Sequence, residues 1–198
     1  RALAKKVYKH LLQLVVKASR SSANISGETG AGTEIVDADA DTNMDSLIAS
    51  VFEAIQKLDE NDVPSNDRFM VVTPDIYYKL ANVDKLVSRD FSANNGDFGK
   101  GSVVAIGGVP VIKSNTAVES YVNSSTDSAT GQNNDYLVNA SDVVATIFQR
   151  GAIGTVKRKD LTLESTYDPR RMGTLMTARM MVGHNILRPE CAVSINKS

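Results

Sequence analysis

The stretch NNGDFGKGS, Asn94 to Ser102, gathers glycines, a lysine and a serine into the ingredients of a phosphate-wrapping loop. Such a loop needs a longer spacer and then a contiguous Gly-Lys-Ser/Thr, so that backbone N–H groups surround the anion. Here Gly101 separates Lys100 from Ser102, and Gly96 lies too close to Gly99. A helix should also open behind the loop. Instead VVAIGGVPVIKS follows, β-branched and centred on Gly107-Gly108, which is the pattern of a hairpin. The spacing therefore predicts a structural loop and no nucleotide site.

The other chemical candidates fail for similar reasons. DADAD, Asp37 to Asp41, resembles the start of a calcium loop, but Thr42 and Ile48 stand where that loop needs its turn Gly and its bidentate Glu. The run reads better as an acidic approach to a helix, with Thr42 and Asp45 in a Thr-x-x-Asp capping pattern. His10 and His184 sit in no nucleophile or metal motif, and Cys191 follows Glu190 in an apolar stretch that suits a small buried residue. Lys157-Arg158-Lys159-Asp160 fits a phosphate contact or a charged strand facing a neighbouring subunit equally well. The sequence thus assigns no catalytic residue, no metal and no cofactor.

Positioning falls to a chain of 198 residues, 42% hydrophobic, enough for one good core or two modest ones. Lys+Arg 22 against Asp+Glu 23 leaves a net charge of −1, which demands neither nucleic acid nor membrane as a partner. One Cys excludes a disulfide framework within the chain. No apolar run is long enough to span a bilayer, and no signal peptide opens the sequence. Arg1 begins inside a helical pattern without a Met, so a longer protein is expected.

In RALAKKVYKHLLQLVVKASRSSA, Leu3, Val7, Leu11, Leu14, Val15 and Ala18 form a stripe at helical spacing, and Arg1, Lys5, Lys6, Lys9, Lys17 and Arg20 crowd the rest. That basic face suits solvent, a membrane surface or nucleic acid. A second helix is expected with Met44, Leu47, Ile48, Val51, Ile55 and Leu58 on its apolar face, ending before Pro64. Phe69 to Val72 read as a strand, Thr73 as a cap and Pro74 as the first residue of a short helix packed through Ile76, Tyr77 and Leu80. YVNSSTDSATGQNND reads as an exposed polar loop, and the rest of the chain is β-branched and extended. TLMTARMM also allows helix over part of its length, and bends or bulges are expected at Gly151 and Gly154.

Taken in order, FQRGAIGTVKRKDLTLE, YDPRRM and MVGHNILRPECAVSI resemble the closing segment of the major capsid proteins of tailed double-stranded DNA phages, especially the short-tailed podovirus type. The matching residues are Gly154-Thr155-Val156, Asp160-Leu161, Leu163-Glu164, Gly183-His184 and Leu187-Arg188-Pro189-Glu190, with Arg68, Pro74, Tyr77 and the hairpin GSVVAIGGVPVIKSN earlier. The resemblance implies an α+β chain with the tailed-phage and herpesvirus capsid fold. Residues 1–23 would be the spine helix of a peripheral domain, and 24–154 an axial domain with a mixed sheet and helices. Residues 155–182 would return to the peripheral domain, and 183–198 would carry the final strand back to the axial domain. The family's N-terminal arm and extended loop are not in this sequence.

The implied function is a self-assembling icosahedral shell around packaged DNA, in the virion, put together in the host bacterial cytoplasm. Other copies, as hexamers and pentamers, would be the partners, along with portal and scaffolding proteins, and no membrane. Lys157, Arg158, Lys159, Asp160, Glu164, Arg188, Pro189 and Glu190 become interface or structural candidates, and Lys5, Lys6, Lys9 and Lys17 candidates to face DNA without reading sequence. A nucleic-acid-binding α+β domain using the basic helix is the competing reading.

Overall fold

The computed structural model describes residues 2–24, 30–83, 86, 96–97, 102–103, 105–122 and 136–197. Most of the Asn94 to Ser102 loop, including Lys100, lies outside them, as does most of the polar stretch ahead of Tyr136.

Helix α1 (Ala2–Ser19) leads to strand β1 (Thr33–Val36), then α2 (Met44–Glu60), β2 (Arg68–Val72) and α3 (Pro74–Leu80). A short pair β3 (Gly96–Asp97) and β4 (Ser102–Val103) precedes the hairpin β5 (Ala105–Ile106) and β6 (Val109–Lys113). Helix α4 (Asn115–Ser120), β7 (Val143–Gln149), β8 (Ile153–Asp168), β9 (Gly173–Ile186) and β10 (Ala192–Asn196) complete the chain. Six strands form one mixed sheet in the order β1-β10-β7-β2-β6-β5, while β8 and β9 form a separate two-stranded ribbon.

The mixed sheet is covered on both faces. Met70 and Val72 of β2 join Leu47, Val51, Ala54 and Leu58 of α2 and Ile76, Tyr77 and Leu80 of α3 in the larger core. Val71, pointing the other way, meets Leu12 and Val16 of α1, Ala117 of α4 and Tyr121. Tyr121 keeps its hydroxyl satisfied there by Val71 O at 3.1 Å and Thr146 Oγ1 at 2.7 Å. All of β10 is buried, with Ser194 bonded through its hydroxyl to that of Ser19 on α1 at 2.9 Å.

Several local expectations are corrected. The buried stripe of α1 is Leu12, Leu14, Val15, Val16 and Ala18, whereas Leu3 is exposed, because sheet and α4 together cover a wider arc than one stripe. Asn43, not Thr42, caps α2: the helix begins at Met44, and the Asn43 side chain accepts the Asp45 N–H at 3.1 Å. Thr73 holds the cap position of α3 without a side-chain bond, leaving Pro74 to set the helix start. TLMTARMM is strand throughout, in register with β8. The bend expected at Gly151 is the 3-10 turn of residues 150–152, whereas Gly154 pairs regularly with Asn185 and the irregularities of the ribbon fall between Lys157 and Thr162.

Asp37, the first of the acidic run, is a staple. Its carboxylate accepts from Ser46 Oγ at 2.7 Å, Ser50 Oγ at 2.9 Å and the Asp39 N–H at 3.1 Å, tying the end of β1 to α2. Burial opposes its ionisation, but the three donors outweigh it and hold the carboxyl below the ordinary range.

Arg68 is buried at the start of β2 and donates to Asp59 at 2.7 Å, to Pro64 O at 3.0 Å and to Val63 O, so one guanidinium closes the turn out of α2. Arg68→Ala strands two carbonyls and should lower unfolding free energy by about 2–3 kcal/mol in urea titration. At the β5–β6 turn Gly107 and Gly108 have φ of 56° and 81°, a primed hairpin turn. Gly108→Val should cost about 1–3 kcal/mol through backbone strain alone, since a Cβ there meets nothing within 4 Å. Cys191 is fully buried and burial pushes its thiol pKa up, so a thiol reagent should label it only as fast as the core unfolds.

Candidate assembly surface

Among the described residues the ribbon has the least cover. Its pairing register runs from Ile153↔Ile186 to Asp168↔Gly173, and on the distal half the two faces differ in chemistry. Thr162, Glu164, Thr166 and Asp168 share one face with Arg179, Thr177 and Leu175, and the Arg179 guanidinium lies 3.4 Å from Glu164. The opposite face carries Leu163, Ser165 and Tyr167 beside Ala178, Met176 and Thr174. Leu163 is 69% exposed, Tyr167 62% and Met176 69%.

That apolar face changes cover along its length. His184 is buried, Val182 and Met180 are half-buried, and Ala178 and Met176 are exposed, although all five alternate onto the same side of β9. The cover at the base is α1: Leu3, Lys6, Val7 and His10 line a cleft with Met180, Val182 and His184. Helix α1 is therefore shared between two bodies. Its C-terminal half packs on the mixed sheet through Leu12 to Ala18, and its N-terminal half lies against the ribbon.

The charged run is set at the ribbon's irregular stretch. Lys157 Nζ lies 3.0 Å from Asp160, whose other oxygen accepts the Leu161 N–H at 2.8 Å. Those donors hold the Asp160 carboxyl below its ordinary range. Arg158 and Lys159 are exposed beside them. An extra residue on β8 on either side of Lys159 turns this segment out of the regular alternation.

Leu187 to Glu190 connects the ribbon to β10. The backbone N–H groups of Leu187 and Arg188 both donate to Ala152 O, at 2.9 and 3.3 Å, and Pro189, buried, opens a 3-10 turn that delivers Ala192 into the sheet. Arg188 does not reach across the molecule. Among the described residues its guanidinium bonds Glu190, from Nε to Oε1 at 2.6 Å, closing its own turn. Residues 183–186, expected with the final strand, belong to β9.

The lysines of α1 do not form one free face. Lys5 pairs with Glu119 of α4, Lys17 is half-buried and engaged, and Lys6 lines the cleft toward β9. Arg20, at the end of the helix, bonds Glu34 of β1 at 2.7 Å and the Asn139 carbonyl. Lys6 and Lys9 have no ion-pair partner among the described residues. No group of three or more His, Cys, Asp or Glu able to hold a metal occurs among the described residues either.

Two features escaped sequence reasoning. The apolar and polar residues of LTLESTY alternate, but that alternation suggests a half-buried strand, and here nothing among the described residues buries it. The grouping of His10, Tyr136, Thr155 and His184 has no signal in sequence, because α1, the segment before β7 and both ribbon strands each supply one residue.

A family model described as Gp10A-like major capsid protein matches residues 1–196. The major capsid protein of Escherichia phage T7 is 25% identical over 190 residues, spanning 91% of this chain and 51% of that protein. The minor capsid protein of the same phage is also 25% identical, with 44% of its length covered. This chain thus spans about half the length of the curated relatives it matches. Among solved structures, the capsid of cyanophage P-SCSP1u aligns with a TM-score of 0.86 and 31% identity over 98% of this chain and 62% of that one. The mature capsid of bacteriophage PhiM1 aligns at 0.76 and 19% identity, over 98% and 61%, and so shares the fold. With one family model running nearly end to end and the tailed-phage capsid fold beneath it, the chain belongs to the Gp10A-like major capsid protein family.

Proposed function

We propose that the chain is a structural piece of an icosahedral phage shell, and that the ribbon is one of the surfaces through which copies hold one another. The observation that carries this reading is the exposed apolar face of Leu163, Tyr167 and Met176. A lone two-stranded ribbon is marginal in water, and a long one with an apolar side is stable only against another surface. In a closed lattice each such contact need be only modest, because every subunit makes several at once.

In this reading the mixed sheet with its helices is the axial body and the ribbon belongs to the peripheral body, with α1 as the spine joining them. Leu187 to Glu190 is the return between the two. Hexamers and pentamers of the chain are its chief partners, with portal and scaffolding proteins at the margins of assembly in the bacterial cytoplasm. Lys6 and Lys9 are the best placed of the basic candidates to screen packaged DNA, since Lys5 and Lys17 are already engaged. The protein acts by geometry, and the reading assigns no catalytic step to any side chain.

The test separates folding from assembly. Leu163→Lys with Met176→Glu, made in the full-length protein, leaves the core untouched and should keep the melting temperature within a few degrees of the parent. Regular shells counted by electron microscopy should fall by roughly tenfold or more, as expected when charge is forced into a buried contact. Normal yields of well-formed shells would remove this face from the assembly contacts.

A further inference from the structure

Where α1 crosses the base of the ribbon, the two histidines of the chain meet. His10 stacks on Tyr136 with ring centroids 4.5 Å apart and planes 9° apart, and Tyr136 meets His184 edge to face at 6.1 Å. The Tyr136 hydroxyl accepts the His184 backbone N–H at 3.1 Å, and His184 Nδ1 lies 3.0 Å from Thr155 Oγ1 on β8. His184 Nε2 is buried and has no hydrogen-bond partner among the described residues. Three rings from three parts of the chain therefore form one pile at the junction of helix and ribbon, beside a cleft of about 330 Å³.

The charges around the pile are basic. Helix α1 contributes Lys6 and Lys9, both acting on His10, and the charged residue of β9, Arg179, lies on the opposite face of the ribbon beside Glu164. On β8, Lys157 lies two residues from Thr155 on the same face, with Asp160 bound to it. The segment before β7 supplies the phenol of Tyr136. A proton added to His184 would put a charged N–H at Nε2 with no acceptor, and one added to His10 would face Lys6, Lys9 and the other imidazole.

We propose that this pile is a pH-operated joint: neutral imidazoles lock the base of the ribbon against α1, and protonation releases it. Desolvation by burial depresses both imidazoles, and for His10 the charges of Lys6, His184 and Lys9 add to it. The locked form thus binds protons less readily than the released form. Locking is complete above the ordinary imidazole range and weakens as pH falls through it. The joint is a property of the single chain and does not depend on the assembly reading.

Exchange of the imidazole C2 hydrogens, followed by mass spectrometry across pH on the intact protein, reads each histidine separately. Both should titrate below 6.5, the ordinary value. Amide exchange, corrected for its intrinsic pH dependence, should rise several-fold in residues 2–11 and 176–186 between about pH 7.5 and about pH 5, with β2 and β7 unchanged. His10→Phe keeps the stacked ring without the titration, and should reduce that rise; His10→Phe with His184→Leu should abolish it. Either imidazole titrating at or above its ordinary value in the parent would overturn the joint, as would the same local rise in the double variant.

Discussion

The burial of β10 is the constraint on which the rest of the structure hangs. Val193 and Ile195 are fully enclosed, and Ser194 is admitted because Ser19 of α1 matches its hydroxyl. The strand enters between β1, parallel to it, and β7, antiparallel, so removing it would cut β1 off from the other four strands. Glu34 reinforces the seam by accepting from both Arg20 and Asn196. The Ser19–Ser194 bond joins residues 175 apart in sequence, so the first helix and the last strand complete one core together. Contacts of that span close slowly, and the sheet cannot be finished until the whole chain is available.

The close approach of the chain's beginning to this seam shows how tight it is. A side chain at Gly32 would place its Cβ 2.0 Å from the Ala18 carbonyl, and the Gly32 N–H donates to Ser21 O at 2.9 Å. A residue with no side chain is the one that lets the segment ahead of β1 pass beneath the end of α1. The Gly-rich composition of this segment is a packing requirement at one position.

The elements were legible where local chemistry and burial agree. Helix α2 buries Leu47, Val51 and Leu58 as their spacing predicts, Pro74 opens a helix whose apolar face points to the core, and the Gly107-Gly108 turn adopts the positive φ that its composition suggests. The order of weak motifs near the C-terminus carried the family, whereas the glycine-rich stretch Asn94 to Ser102 lies mostly outside the described residues. What sequence could not give was context. Helix α1 looks like a single stripe because periodicity assumes one neighbour, yet Leu12 and Val16 face a second surface formed by α4 and Tyr121. The basic residues of α1 look like one face until Glu119 claims Lys5. The ring pile at the ribbon base is invisible for the same reason: its members become neighbours only in the fold.

The ribbon's dimensions have a mechanical consequence. Strand β8 is 16 residues long, so at about 3.3 Å per residue the tip at Arg170 and Arg171 stands on the order of 50 Å from the base. A rotation of about 5° at α1 would sweep that tip by roughly 4 Å, nearly the spacing between neighbouring strands. The tip is thus the end of a lever whose fulcrum is a handful of side chains on one helix, and errors in packing there are magnified about in proportion to its length. In the proposed shell, levers of this kind would set the curvature at the fulcrum, far from the ribbon face through which copies are proposed to hold one another.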